Sequence, residues 1–208
     1  MKIAVITDEQ LKDEILVQGL QGDVSIEWLA DPQPVEDAVV YIDLLFIPSS
    51  ERISQLKALL PATIIVNSVS RTLEDLPVEF IRINGWKSFL KSPVTEAVCI
   101  YDNIKYEAEK ALAVFGKKTE WTPDIPGFIS ARVVSMIINE AYFALEEQVS
   151  SKEDIDTAMK LGTSYPYGPF EWGKIIGLSN VHELLMRMSG SNPRYTPAAL
   201  LQKEAIAG

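Results

Sequence analysis

The chain has 208 residues, 47% apolar and 23% charged, the make-up of a globular protein with room for one large core or two small ones. Its formal charge of −10 offers no basic surface for a phosphate backbone, so no nucleic-acid partner is expected. With one histidine, His182, and one cysteine, Cys99, no metal site is expected, Ser-His or Cys-His catalysis would need that one imidazole, and Cys99 has no internal disulfide partner.

No window approaches the roughly 18 uncharged apolar residues of a membrane span. Met1-Lys2-Ile3 leads into a strand pattern and not a signal peptide, so the expectation is a cytoplasmic protein that does not engage membranes.

Residues 2–6, KIAVI, read as a buried parallel strand. A dinucleotide-binding fold follows such a strand with G-x-G-x-x-G, because only glycine lets backbone amides close on a pyrophosphate. Here Thr7-Asp8-Glu9-Gln10 follows, without glycine. Thr7 and Gln10 read as a capping box, and Asp8 and Glu9 put two carboxylates where an anion would sit. The expectation is a self-capped helix starting at Asp8 and no bound cofactor.

Residues 24–29 alternate as a second strand, and Asp31 beyond it lies roughly where a dinucleotide fold holds its ribose, although Asp31-Pro32 serves equally as a plain turn. Pro32 to Pro34 leave little room for a helix before a strand over 39–47, so this domain is abbreviated. A helix over 50–60 closed by Pro61 and a strand over 63–66 come next. Asn67-Ser68-Val69-Ser70 then falls at a strand's carboxyl end, where open α/β sheets bind ligands, or forms a turn capping a further helix. A strand from Phe80, a helix over 103–115 ending at Gly116 and a last short strand over 117–121 complete the first part, with Lys117-Lys118 expected on the surface.

Two prolines within 122–126 mark the boundary. The helix over 128–148 is apolar around most of its circumference and needs a helical cage or a second subunit to cover it. Ser151 with Asp154 opens the next helix and Gly162 ends it; Tyr165-Pro166-Tyr167-Gly168-Pro169 is a turn, followed by a short helix over 170–176 that ends at Gly177. His182 sits in a short amphipathic helix with Asn180 as a possible cap and reads as structural or solvent-facing, and Pro197 starts a terminal helix over 198–207. Glu146-Glu147 reads as solvated surface.

The run PGF, a following Arg132, NEA at 139–141, EDID at 153–156 and YPYGPFE at 165–171 resembles, in order and spacing, the carboxy-terminal helical domain of the 3-hydroxyacyl-CoA dehydrogenase family. The resemblance covers residues 124–192 well and the amino-terminal part faintly. It implies an α/β plus all-α fold: an abbreviated Rossmann-like parallel-sheet domain over 1–123, then an all-α dimerisation domain over 124–208 through which homodimers form. It also implies NAD-linked oxidation of a 3-hydroxyl on an acyl-CoA. On this resemblance Asn67 and Ser70 match a substrate-contacting turn, and Asn84 or Gly85 falls where the family has its base histidine. Glu96 matches the glutamate that orients that histidine, and Ala131, before Arg132, replaces a substrate-holding asparagine. An amide cannot act as a base, a loss of about 10²- to 10⁴-fold in rate. Two readings follow: a relative whose NAD chemistry is lost or impaired and which keeps dimerisation and an acyl-CoA or other small ligand near Ser70, Asn84 and Glu96, or an active NAD-dependent dehydrogenase.

Overall fold

The apolar runs become strands buried on both faces in the computed structural model, which describes residues 1–207. The chain divides into two compact units, Met1–Phe128 and Ile129–Gly208. In the first, β1 (Lys2–Ile6), β2 (Ser25–Leu29), β3 (Ala38–Asp43), β4 (Thr63–Asn67), β5 (Phe80–Ile83), β6 (Val94–Val98) and β7 (Lys118–Trp121) form one sheet in the order β2-β1-β3-β4-β5-β6-β7. All neighbours are parallel except β5 and β6. The order reverses at β1, with β2 on one side and β3 on the other, which makes the carboxyl ends of β1 and β3 the switch point of the sheet.

Three helices accompany the strands: α1 (Glu9–Ile15), α2 (Ser50–Lys57) and α3 (Lys105–Val114). Residues 30–37 join β2 to β3 without a helix, so the domain is abbreviated there. Several boundaries differ from expectation. Asp8 and not Thr7 caps α1, its carboxylate accepting from the Leu11 amide at 2.8 Å. β3 stops at Asp43 and not at 47, because that side chain accepts from the Leu45 amide at 3.1 Å and turns the chain. No helix follows Ser70. Residues 102–104 form a single 3₁₀ turn ahead of α3.

The charge missed in the sequence is Arg82 on β5, which has no exposed surface. Its Nε lies 3.4 Å from Asp124 Oδ1, its Nη2 donates to the Ile125 carbonyl at 2.7 Å, its Nη1 donates to the Arg71 carbonyl, and the Phe128 ring centre lies 4.4 Å from the guanidinium. The other Asp124 oxygen accepts from the Leu73 amide at 2.9 Å. One cation thus holds both the 71–73 loop and the 124–128 segment against the sheet.

Lys117 is also not surface: it is 3% exposed, and its ammonium donates to the carbonyls of Leu90 and, at 2.9 Å, Ser92. Burial pushes its pKa down to about 8, against the pull of the Glu14 carboxylate. Glu14 is itself buried and accepts from the Ser88 amide at 2.8 Å. The two side chains together pin the 86–92 loop.

The second unit is helical: α4 (Ser130–Glu146), α5 (Lys152–Thr163), α6 (Pro169–Ile176), α7 (Leu178–Ser189) and α8 (Ala199–Ala207). α6, α7 and α8 pack on α4 and bury Ala131, Val134, Ile138, Ala141 and Tyr142, while Val133 stays 52% exposed. Cover on nearly all sides was expected, so within one chain the helical cage is incomplete. Asn139 of the NEA run accepts from the Ala198 amide at 2.8 Å and donates to the Thr196 carbonyl at 2.9 Å, fixing the entry to α8.

Ser151 caps α5 as expected, but Gly162 lies inside that helix, which closes on left-handed Ser164. The buried Asp156 carboxylate accepts from the amides of Phe170 at 2.8 Å and Glu171 at 3.1 Å and so caps α6 from a distance. A Cβ on Gly168 would come within 2.3 Å of that carboxylate, which explains a glycine between the two prolines of the turn. α7 begins at Leu178 after Gly177, two residues before the expected cap; Asn180 lies within the helix and donates to the Ile176 carbonyl at 2.8 Å.

Arg82→Leu leaves Asp124 without its buried cation and is expected to cost about 3–5 kcal/mol, read as a fall in the urea midpoint. For Lys117 the folded pKa lies below the unfolded value of about 10.4. Above pH ~8 the unfolded chain therefore holds the extra proton and stability rises with pH. The stability difference between the native chain and Lys117→Met is expected to grow in favour of the native chain from pH ~8 to ~9.5, measured by urea denaturation at each pH.

Candidate functional site

The expected site residues of the sheet unit converge at the carboxyl ends of β4 and β5. Asn67, the last residue of β4, accepts from the Gly85 amide at 3.0 Å and donates to the Leu44 carbonyl at 3.2 Å. Asn84 follows β5 directly; its backbone amide donates to the Glu96 carbonyl at 3.1 Å and its side-chain amide to Glu96 Oε2 at 3.0 Å. The antiparallel pairing of β5 with β6 sets this register, with Ile83 opposite Ala97. Glu96 thus accepts from the amide of Asn84.

Asn84 is only 4% exposed and Gly85 is buried, so both positions expected to match the family histidine are withdrawn from water. A Cβ at Gly85 would meet the Asn67 side chain at 2.8 Å, which leaves no space for a larger residue without moving Asn67. Asn67 therefore serves the turn through its amide. Ser70 is half-buried in the same turn. Ala131 belongs to the helical unit, is fully buried in α4 and presents only a methyl group. Asn84 and Glu96, facing across β5 and β6, share a hydrogen bond, and the Asn84 amide does not act as a base.

At the switch point, Asp31 meets a cation. Arg52 donates from Nη1 to Asp31 at 3.1 Å and holds Asp43 with Nε at 2.8 Å and Nη2 at 2.9 Å. Asp43 is fully buried, and burial pushes its carboxyl up against the opposing pull of Arg52. Arg52 thus straddles the ends of β2 and β3, and Asp31 spends its carboxylate on it. After β1 the Leu11 amide at the start of α1 is taken by Asp8, with Glu9 beside it in the first turn. An anion at the start of α1 would approach Asp8 and Glu9, and Asp31 shares Arg52 with Asp43.

Arg52 and Asp43 were missed, although the aspartate in an apolar strand, YIDLL, was the signal that a partner cation had to exist. His182 is half-buried on α7. Among the described residues no three His, Cys, Asp or Glu side chains are grouped to hold a metal, and no helix is long and apolar enough to cross a membrane.

Asn84→Asp keeps the shape of the residue and sets a second carboxylate against Glu96. Two acids sharing one site raise a carboxyl pKa. The variant is expected to lose roughly 1–3 kcal/mol at neutral pH and to recover part of it as pH falls toward ~4, measured by urea denaturation.

Residues 127–208 match the family model described as 3-hydroxyacyl-CoA dehydrogenase, C-terminal domain. A 3-hydroxyadipyl-CoA dehydrogenase of Escherichia coli K12 is 44% identical over 93 residues, 44% of this chain and 20% of that protein. A 3-hydroxybutyryl-CoA dehydrogenase of Bradyrhizobium diazoefficiens is 37% identical over 139 residues, 64% of this chain and 47% of that protein. The chain thus spans less than half the length of these two relatives. The crystal structure of (S)-3-hydroxybutyryl-CoA dehydrogenase from Ralstonia eutropha shares the fold, with a TM-score of 0.77 over 100% of this chain and 94% of that one at 19% identity. Over residues 127–208 the chain is thus similar to the C-terminal domain of 3-hydroxyacyl-CoA dehydrogenases, and over its whole length it shares their fold.

Proposed function

We propose that this protein serves acyl-CoA metabolism as a 3-hydroxyacyl-CoA dehydrogenase-like protein whose NAD-linked dehydrogenation is lost or impaired. The observation that carries the reading is the 3.0 Å contact from the Asn84 amide to the Glu96 carboxylate. A base must lose and regain a proton near neutral pH, and an amide does neither. The acids at the start of α1 and the Arg52 bridge support the same reading on the cofactor side. An acyl-CoA remains the small ligand of choice for the turn of Asn67 and Ser70 and for Glu96, and residues 124–208 pair two copies. The open face of α4 supports the pairing, since Val133 is half exposed on a helix otherwise wrapped by its own unit.

The second reading, an active NAD-dependent dehydrogenase that oxidises a 3-hydroxyacyl-CoA to the ketone, is favoured by the names of the relatives matched over the carboxy-terminal domain.

Titration with NADH is expected to give no saturable change in nicotinamide fluorescence. Acetoacetyl-CoA reduction, followed by loss of NADH absorbance, is expected at a rate at least ~10²-fold below that of a base-bearing dehydrogenase. Saturable NADH binding with turnover matching such an enzyme would establish the second reading instead. Light scattering is expected to give the mass of two chains.

A further inference from the structure

Where α5 and α6 meet Tyr142 of α4 and the end of α8, the helical unit has a cavity of about 370 Å³. Phe170, Leu178 and the ring of Tyr142 give it apolar walls, and six charged side chains line the rest. Four of the six are satisfied within the chain. Lys152 donates to both oxygens of Glu204 at 2.7 Å, with the Tyr142 and Phe170 ring centres 5.2 and 5.3 Å from its ammonium, and Tyr142 donates to Glu204 at 2.7 Å. Asp156 is occupied by the amides that begin α6, and Glu171 accepts from Lys160 at 2.5 Å and from the Gly168 amide at 3.0 Å. The other two are opposite in sign: Glu153 in the first turn of α5 and Lys174 in the last turn of α6. Among the described residues, neither of these two side chains has an ionic or hydrogen-bonded partner.

From this pattern we infer that the cavity binds a small zwitterion, an amino acid with an apolar side chain. Its carboxylate lies at Lys174, its ammonium at Glu153, and its side chain against Phe170 and Leu178. Apolar walls strengthen both charge contacts relative to open water. A guest with a single charge would cover the other lining charge without a partner, which opposes binding. The volume falls in the range of small-molecule pockets. The site uses neither Asn84 nor Glu96 nor the open face of α4, so it stands or falls apart from the chemistry and the pairing proposed above.

Calorimetric titration of the full chain with leucine tests it, beside isocaproate, which lacks the ammonium, and isoamylamine, which lacks the carboxylate. Expected are saturable leucine binding, binding of each analogue weaker by about tenfold or more, and a similar loss of leucine affinity in Lys174→Met and in Glu153→Gln. Both positions are exposed, so these variants fold. Lys174→Glu sets two acids at the cavity and is expected to bind isoamylamine more tightly than leucine. The inference is overturned by no saturable leucine binding up to its solubility limit, by either analogue binding as tightly as leucine, or by leucine binding unchanged in Lys174→Met and Glu153→Gln. It is equally overturned if Lys174→Glu still prefers leucine to isoamylamine, since the lysine is then not what holds the carboxylate.

Discussion

A guanidinium with no water around it must find every partner within the protein, and Arg82 meets that demand by drawing distant chain to the sheet. Its partners are Asp124, the carbonyls of Arg71 and Ile125, and the face of Phe128. Leaving such a cation unpaired costs several kcal/mol, more than most single contacts, so the loop after β4 and the segment that ends the sheet unit are held where Arg82 needs them. The turn of Asn67 and Ser70 begins one side of that loop, and its geometry is therefore inherited from a charge several residues away.

The same principle recurs at three other places where charge is buried. Lys117 and Glu14 hold the 86–92 loop by its backbone, Arg52 joins Asp43 to Asp31 at the switch point, and Asp156 supplies the amides at the start of α6 with an acceptor. In each case the polar group is satisfied mainly by backbone or by an opposite charge, which is the condition for burying it at all. Two exposed acids are likewise engaged: Asp8 caps its own helix and Asp31 meets Arg52.

The Asn84 and Glu96 contact gives the site its chemical character. A hydrogen bond between an amide and a carboxylate is directional, so it preserves the geometry of two facing strands while offering no base at position 84. Close packing of Gly85 against Asn67 fixes it further. The helical unit keeps its own logic intact: Asn139, Asp156 and Gly168, the polar and glycine residues of the motifs that carry the family resemblance, each satisfy or make room for a specific backbone contact.

What the sequence determined by itself is short-range. Unbroken apolar runs such as KIAVI and TIIVN become parallel strands, Ser151 starts its helix, Pro32 and Pro34 shorten the link between β2 and β3, and no base is present at position 84. Periodicity and caps act within a few residues, so they can be read from the chain. Only the tertiary structure decided that Lys117 is buried and Lys118 is not, that Glu96 meets Asn84, that Arg52 claims Asp31, and that Asp156 caps a helix beginning at Pro169. Each of these depends on strand register or on the meeting of elements far apart in sequence, and a charge carries no local mark of whether the partner that lets it be buried will be there.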